Sequence, residues 1–326
     1  MTDLDFVTRP KVGAPPAEHM AWIPGGTFMM GSNLSKYLEE GPAHPVSVDG
    51  FWMDEHTVTV GEFRRFVQET GYVTVAERPL DPATYPDLDP AVLVPGSMVF
   101  RKARGPVDLT NMANWWSYMP GGDWAHPEGP KSHVKRREAH PVVHVAWEDI
   151  EAYAAWAGKE LPTEAEWEFA ARGGLDGAIY TWGNDFAPGG RMMVNTWQGK
   201  FPWQNTKEDR FEGTAPVGSF PANGYGLYDM AGNVWEWTAD FYRPRHPDEC
   251  LDGCCTPVNP RSVTPDDSFD PDDPGAGHIP RRVLKGGSHL CAPNYCWRYR
   301  PAARQAQMVD SSMSHIGFRC VVRVGA

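Results

Sequence analysis

Cysteine is scarce in this chain of 326 residues: there are six, every one of them in the last quarter. Thiols so placed cannot staple a whole fold, which argues against a disulfide framework and for a reducing compartment. Long apolar runs are missing too. No stretch of 18 apolar residues occurs, so no helical membrane span is expected. The first 19 residues mix both charges with Pro10, Pro15 and Pro16 and hold no apolar block of the signal-peptide kind, so they read as a mobile arm of a cytoplasmic protein. Positive charge is in deficit. Thirty Lys and Arg stand against 42 Asp and Glu, a formal net charge of −12. That balance argues against nucleic acid as a partner, because phosphate binding needs a concentrated basic surface.

The common catalytic signatures are absent as well. Gly286-Gly-Ser288 runs into His289 and Leu290, without the closing glycine of a nucleophile elbow. Gly224-Tyr-Gly226 meets Asp229 where a dinucleotide motif needs its last glycine, and no phosphate-binding loop occurs. His140 and His144 have metal-ligand spacing only on a helix. Pro141 and two valines make that run extended, which separates the rings by roughly 13 Å of backbone, so structural histidines are expected.

Turn formers and aromatics are abundant. The 33 glycines and 31 prolines, about a fifth of the chain, predict many turns and little regular structure, while 14 tryptophans supply mass for a core. Short strands are expected at 20–32, 46–48 and 51–53. Thr59-Val-Gly-Glu62 is a capping box that opens a helix with Phe63, Phe66 and Val67 on one face and Gly71 at its end. From Tyr72 to about Pro141 an irregular region packed by aromatics is predicted. Helices then follow at Trp147–Ala157, closed by Gly158, and after the capping box Thr163-Glu-Ala-Glu166, stopped by Gly173-Gly174. Residues 256–280, rich in Pro and Asp, read as a flexible excursion. The whole is read as one α+β domain over 20–324 after the arm at 1–19.

Two features carry chemistry. Cys291 and Cys296 lie five residues apart, about 140° apart on a helix and on opposite faces of a strand. Their sulfurs meet only if the backbone turns between them, and Pro293-Asn294 supplies a turn. Converging thiols serve as a disulfide, a redox pair or a soft-metal site; two unrelated buried thiols are the plain alternative. The second feature is clustered Asp, Asn and Glu beside glycine-bent backbone at 195–211 and 229–237. These offer oxygens to Ca²⁺ or, more plainly, hydrogen-bond their own turns.

Several blocks together resemble the formylglycine-generating enzymes, the sulfatase-modifying factors, over nearly the whole ordered length. They are Ile23-Pro-Gly-Gly-Thr-Phe28, Trp124-Ala-His-Pro-Glu-Gly-Pro130, His140-Pro-Val-Val-His-Val145, Gly158-Lys-Glu-Leu-Pro-Thr-Glu-Ala-Glu-Trp167 and Pro221-Ala-Asn-Gly-Tyr-Gly-Leu-Tyr228. Gly-Asn-Val-Trp-Glu-Trp at 232–237, Lys-Gly-Gly-Ser at 285–288 and Ile316-Gly-Phe-Arg-Cys320 complete the set. Several occur across a wider superfamily; the paired cysteines followed by Arg-Tyr-Arg are narrower and select the formylglycine branch.

The resemblance implies a single, loop-rich, C-type-lectin-like domain. It also implies O₂-dependent oxidation of a cysteine in the Cys-x-Pro-x-Arg motif of an unfolded or nascent sulfatase, with a thiol reductant, by a cytoplasmic monomer. Cys291 and Cys296 match the pair that binds Cu(I), which suits two soft thiolates, and Ser288 matches a serine of the oxygen pocket. Asn195 and Asp209 with the carbonyls of Thr196 and Phe211 match one Ca²⁺ site. Asp229 and Glu236 with the carbonyls of Gly232 and Val234 match the other. Departures are Ala154, Ala171 and Pro301 where eukaryotic members carry disulfide cysteines, which leaves Cys320 without a partner, and His315 in place of an asparagine. Cys320 reads as a core residue sharing a face with Phe318 and Val322. No role emerges for Cys250, Cys254 and Cys255. The rival readings are an iron-dependent sulfoxide synthase or related C–S enzyme and a non-catalytic binding module on the same fold.

Overall fold

Two of the three α-helices among the described residues begin where a threonine precedes a glutamate by three residues. Thr59 Oγ1 accepts from the Glu62 amide, Glu62 reaches back to the Thr59 amide, and α1 runs Val60–Thr70 to a left-handed Gly71. The same box at Thr163 and Glu166 opens α3, Glu164–Arg172, which stops at left-handed Gly173. Between them lies α2, Trp147–Ala157, ended by Gly158; its first turn is closed by Asp149, which accepts from the Ala146 amide. All three helices stand where the sequence places them.

The computed structural model describes residues 13–34, 36–83, 93–247, 256–270 and 279–324. Its strands are β1 (Met20–Ile23), β2 (Gly26–Met30), β3 (His44–Val48), β4 (Phe51–Asp54), β5 (Gly96–Phe100), β6 (Trp116–Pro120), β7 (Trp235–Phe241), β8 (Arg281–Lys285), β9 (Arg304–Met308), β10 (Ile316–Gly317) and β11 (Val321–Arg323). The central sheet has the order β10-β7-β8-β9, with β10 parallel to β7 and the rest antiparallel. A second sheet places β4 between β1 and β11, while β2 pairs with β3 and β5 with β6. One α+β domain results.

Two clusters hold these elements. Phe63 and Phe66 of α1 pack on Tyr153 of α2, whose ring meets Phe318 at 5.2 Å. Trp167 and Phe169 of α3 pack with Phe28, Phe51 and Met53. Burying each such ring is worth roughly 1.5–3 kcal/mol. Every residue of α3 is buried, its charges included. Glu168 receives Lys285 Nζ at 2.9 Å and Arg172 Nη2 at 2.6 Å; Glu164 takes a fork from Arg304 at 2.7 and 2.8 Å.

Two expectations are corrected. The irregular stretch from Tyr72 contains the antiparallel pair β5–β6, whose partners are joined by a long connection without a tight-turn signal. The supposed excursion is tied down over residues 256–270. There the Ser47 amide donates to Pro257 O at 2.9 Å, the Asn259 amide to Ser47 O at 2.8 Å, and Asp270 pairs with Arg281. An edge strand tolerates such a proline-bearing partner, because proline still offers a carbonyl. Cys250, Cys254 and Cys255 lie outside the described residues, as do residues 1–12 of the arm; within the arm, the His19 carbonyl accepts from the Glu55 amide.

Candidate active site

The paired cysteines ride on the connection between the neighbouring strands β8 and β9. Two glycines turn the chain out of β8, with φ of +89° at Gly286 and +74° at Gly287. A Cβ on Gly287 would lie 2.6 Å from the Arg298 carbonyl oxygen, so only glycine fits there. The next residues are pinned from several sides. Ser288 Oγ accepts from the Leu290 amide at 3.2 Å, the His289 amide donates to Asn233 O at 2.9 Å, and the Trp197 amide donates to Cys291 O at 3.0 Å. The turn foreseen at Pro293-Asn294 then forms: the Tyr295 and Cys296 amides both donate to Ala292 O, at 3.0 and 2.8 Å. It brings Cys291 Sγ to 3.0 Å from Cys296 Sγ, and the two remain free thiols.

The pair faces a cavity of about 570 Å³ that Ser288, Trp115, Tyr295, Arg298 and His315 also line. Cys291 is buried and Cys296 half-buried, and this asymmetry sets their acidity. Burial pushes the Cys291 thiol well up, helped by the hydrogen bond it makes to Cys296. Cys296 moves down because it receives that hydrogen bond and, against the cost of burial, because the Arg298 and Arg300 guanidiniums stand near. Of the two thiols Cys296 is therefore the more acidic, and Cys291 is the one that keeps its proton longer.

Arg298 is fixed by residues distant in sequence. Its Nη2 donates to Glu39 at 2.5 Å, its Nη1 to Gln305 at 3.1 Å, and it lies 4.3 Å from the Tyr37 ring centroid. Tyr295 stacks on Phe201 at 4.4 Å, and burial with the two adjacent thiols pushes its phenol up to about 12. His315 lies 4.7 Å from the Trp116 ring at a tilt of 37°, is held neutral by burial beside His289 and His144, and its Nδ1 has no partner. Tyr37 and Glu39 carry no motif that marks them in the sequence.

The oxygen-rich clusters also assemble. Asp209 accepts from the amides of Thr196 and Phe211 at 3.1 and 2.9 Å. Gln198 Nε2 touches Asp209 Oδ2, Thr196 Oγ1 and the Thr196 carbonyl. Three oxygens, Asp209 Oδ2, Thr196 Oγ1 and the Thr196 carbonyl, thus converge on the Gln198 side-chain nitrogen, and oxygens of these kinds are the donors a hard cation takes. Asn195 sits beside them and bonds Asn233 Oδ1 at 3.2 Å. In the second cluster burial pushes Asp229 up to about 6, with Glu236 adding to the shift. Glu236 accepts from Arg319 at 2.7 and 2.8 Å and from Trp167 Nε1 at 2.7 Å. What it offers a cation is one remaining lone pair beside a buried guanidinium. Gly232, with φ +68°, packs so closely that a Cβ would lie 2.2 Å from Asn195 O, so the clusters abut; Val234 follows, buried.

His140 and His144 are structural, as expected. His144 bonds Ser97 Oγ at 2.7 Å and the Pro127 carbonyl at 2.9 Å, and His140 bonds Thr214 Oγ1 at 3.0 Å. Cys320 is fully buried with Phe318, although its strand begins only at Val321 and Val322 is half-buried.

The profile of the sulfatase-modifying factor enzyme 1-like domain matches residues 7–324. A formylglycine-generating enzyme of Mycobacterium tuberculosis is 53% identical over 300 residues, covering 92% of this chain and 96% of that protein. Another, of Thermomonospora curvata, is 45% identical over 98% of each chain. Among solved structures, PvdO from Pseudomonas aeruginosa shares the fold, with a TM-score of 0.61 at 22% identity and 94% of each chain covered. With the profile spanning almost its whole length, the chain belongs to the sulfatase-modifying factor enzyme 1-like family.

Proposed function

We propose that this chain converts a cysteine in the Cys-x-Pro-x-Arg motif of a sulfatase polypeptide to formylglycine, using O₂ and a thiol reductant. The observation that carries the reading is the unbonded thiol pair, 3.0 Å apart at the wall of a cavity, in a chain 53% identical to a formylglycine-generating enzyme. The balance is one substrate thiol, one O₂ and two reductant thiols giving an aldehyde, hydrogen sulfide, water and the reductant disulfide.

The donor set fits Cu(I). Cys291 and Cys296 would hold it, since two sulfurs 3.0 Å apart offer the soft donors this d¹⁰ cation prefers. When bound, copper supplies an electron-rich centre that accepts a further thiolate and delivers electrons to O₂. The chain's own residues do the rest. Arg298 sets positive charge beside Cys296, Trp115 and Tyr295 present aromatic surface in the same cavity, and neutral His315 adds no further charge to its wall. A cytoplasmic location would keep both thiols reduced.

The test is mass spectrometry of a Cys-x-Pro-x-Arg peptide incubated with the protein, Cu(I), a thiol and O₂. Sulfur should be lost and an aldehyde gained. Cys291→Ser and Cys296→Ser should each abolish conversion and weaken Cu(I) binding while the circular dichroism stays native. A peptide bound but unchanged would favour the binding-module reading. A sulfoxide product would favour the iron enzyme.

We further infer that Ca²⁺ occupies the cluster of Asn195, Thr196, Asp209 and Phe211, supported by the Asp209 carboxylate and the two Thr196 oxygens gathered about Gln198 Nε2. Binding to the native state alone raises the melting temperature by linkage. Chelation should lower it and calcium should restore it. An unchanged melt, with no calcium by elemental analysis, removes the assignment.

A further inference from the structure

A second cavity, of about 110 Å³, shares no lining residue with the first. It lies between the end of β7 and the segment 257–262, and four arginines (Arg243, Arg245, Arg261 and Arg304) line it against two carboxylates, Glu164 and Asp240. Both carboxylates are already committed. Glu164 is held by the Arg304 fork, and Asp240 accepts the amides of Glu164 and Ser262. Among the described residues Arg243, Arg245 and Arg261 form no ion pair.

Three buried polar atoms in the same wall also lack a partner: Arg243 Nε, His246 Nε2 and Ser262 Oγ. His246 is only 7% exposed, and its Nε2 is among the buried atoms. Each buried polar group left unmet costs roughly 1–3 kcal/mol. Leaving three in one small space beside unpaired guanidiniums is costly unless something fills it.

We propose that this cavity binds a free tetrahedral oxyanion, inorganic phosphate or sulfate. The chemistry selects it. Guanidinium N–H groups donate and never accept, and a hydroxyl and a neutral imidazole can each donate as well, so the ligand must be an acceptor on several sides. A metal cation would meet four arginines. An apolar guest would leave the donors unmet. The volume admits one such ion and excludes a nucleotide.

The test uses the full chain and inorganic phosphate or sulfate at constant ionic strength set with chloride. Calorimetry should show one saturable site for either ion, and the melting temperature should climb with ion concentration as linkage requires. Arg243→Gln and Arg261→Gln should each weaken binding roughly tenfold or more. Arg261 is exposed, so its variant keeps the fold and the experiment informative should Arg243→Gln not fold. O-phosphoserine should bind no more tightly than phosphate. The proposal is overturned by an absence of saturable binding at millimolar ion, by unchanged affinity in Arg261→Gln, or by tighter binding of the monoester.

Discussion

Cys291, Cys296 and Cys320 carry one side chain into three surroundings. Cys320 is fully buried, and burial pushes its thiol well above the usual range, so it is inert packing. Cys320→Ser places a hydroxyl in that core. It is expected to lower stability by about 1–3 kcal/mol in denaturant titration and to leave the Cu(I) stoichiometry unchanged. Copper lost from a folded Cys320→Ser would mean the metal pair is wrongly chosen. At this scale the sequence was readable where chemistry is local: five-residue spacing and a Pro-Asn turn announce the pair. Tyr37 and Glu39 were not readable, because they reach Arg298 across some 260 positions and nothing beside them in the chain records it.

Among the elements, the connection from β8 to β9 is the one with least freedom. Gly287→Ala demands a left-handed alanine whose Cβ overlaps the Arg298 carbonyl, a strain of about 1–3 kcal/mol. The expected readout is weaker Cu(I) binding with the helical signal kept, since the strain falls where Arg298 is anchored. Copper affinity equal to the parent would show that this crossing does not set the geometry of the thiols. Helices were legible element by element, because a capping box and a C-terminal glycine are written within one turn of each end. The β5–β6 pair was illegible for the converse reason. Residues 101–115 separate its strands and Pro120 ends the second, so neither a tight turn nor a clean alternation marks it. The edge pairing of Ser47 with 257–259 escaped notice likewise, since its proline suggests disorder when read alone.

Across the whole molecule, buried ion pairs set the response to acid. Burial alone would raise Glu164 and Glu168, yet Arg304 and Lys285 around the first, and Lys285 and Arg172 around the second, outweigh it and hold both at about 2. A carboxylate depressed in the folded state stabilises it above the unfolded value, about 4.3, and that contribution is lost as pH falls toward 2. Asp149, Asp229 and Asp240, pushed up to about 6 chiefly by burial, have the opposite sign: their contribution is present at low pH and fades as pH rises through 6. Urea midpoints should therefore decline between pH 4.5 and 2 less steeply in Glu168→Gln, at the cost of a less stable protein at neutral pH. Equal slopes in the two proteins would show that this network does not govern acid unfolding.

Strand β4 has neighbours from opposite ends of the described chain, β1 from residue 20 and β11 from residue 321. A ribosome emits these two nearly the full length of the chain apart. Until Val321–Arg323 has left the exit tunnel, one edge of β4 stays bare, and Cys320 and Phe318 have not yet settled beneath it. Closure of this sheet thus waits for β11 to emerge, and the thiol loop at 286–303 leaves the ribosome before the strand that completes the structure around it.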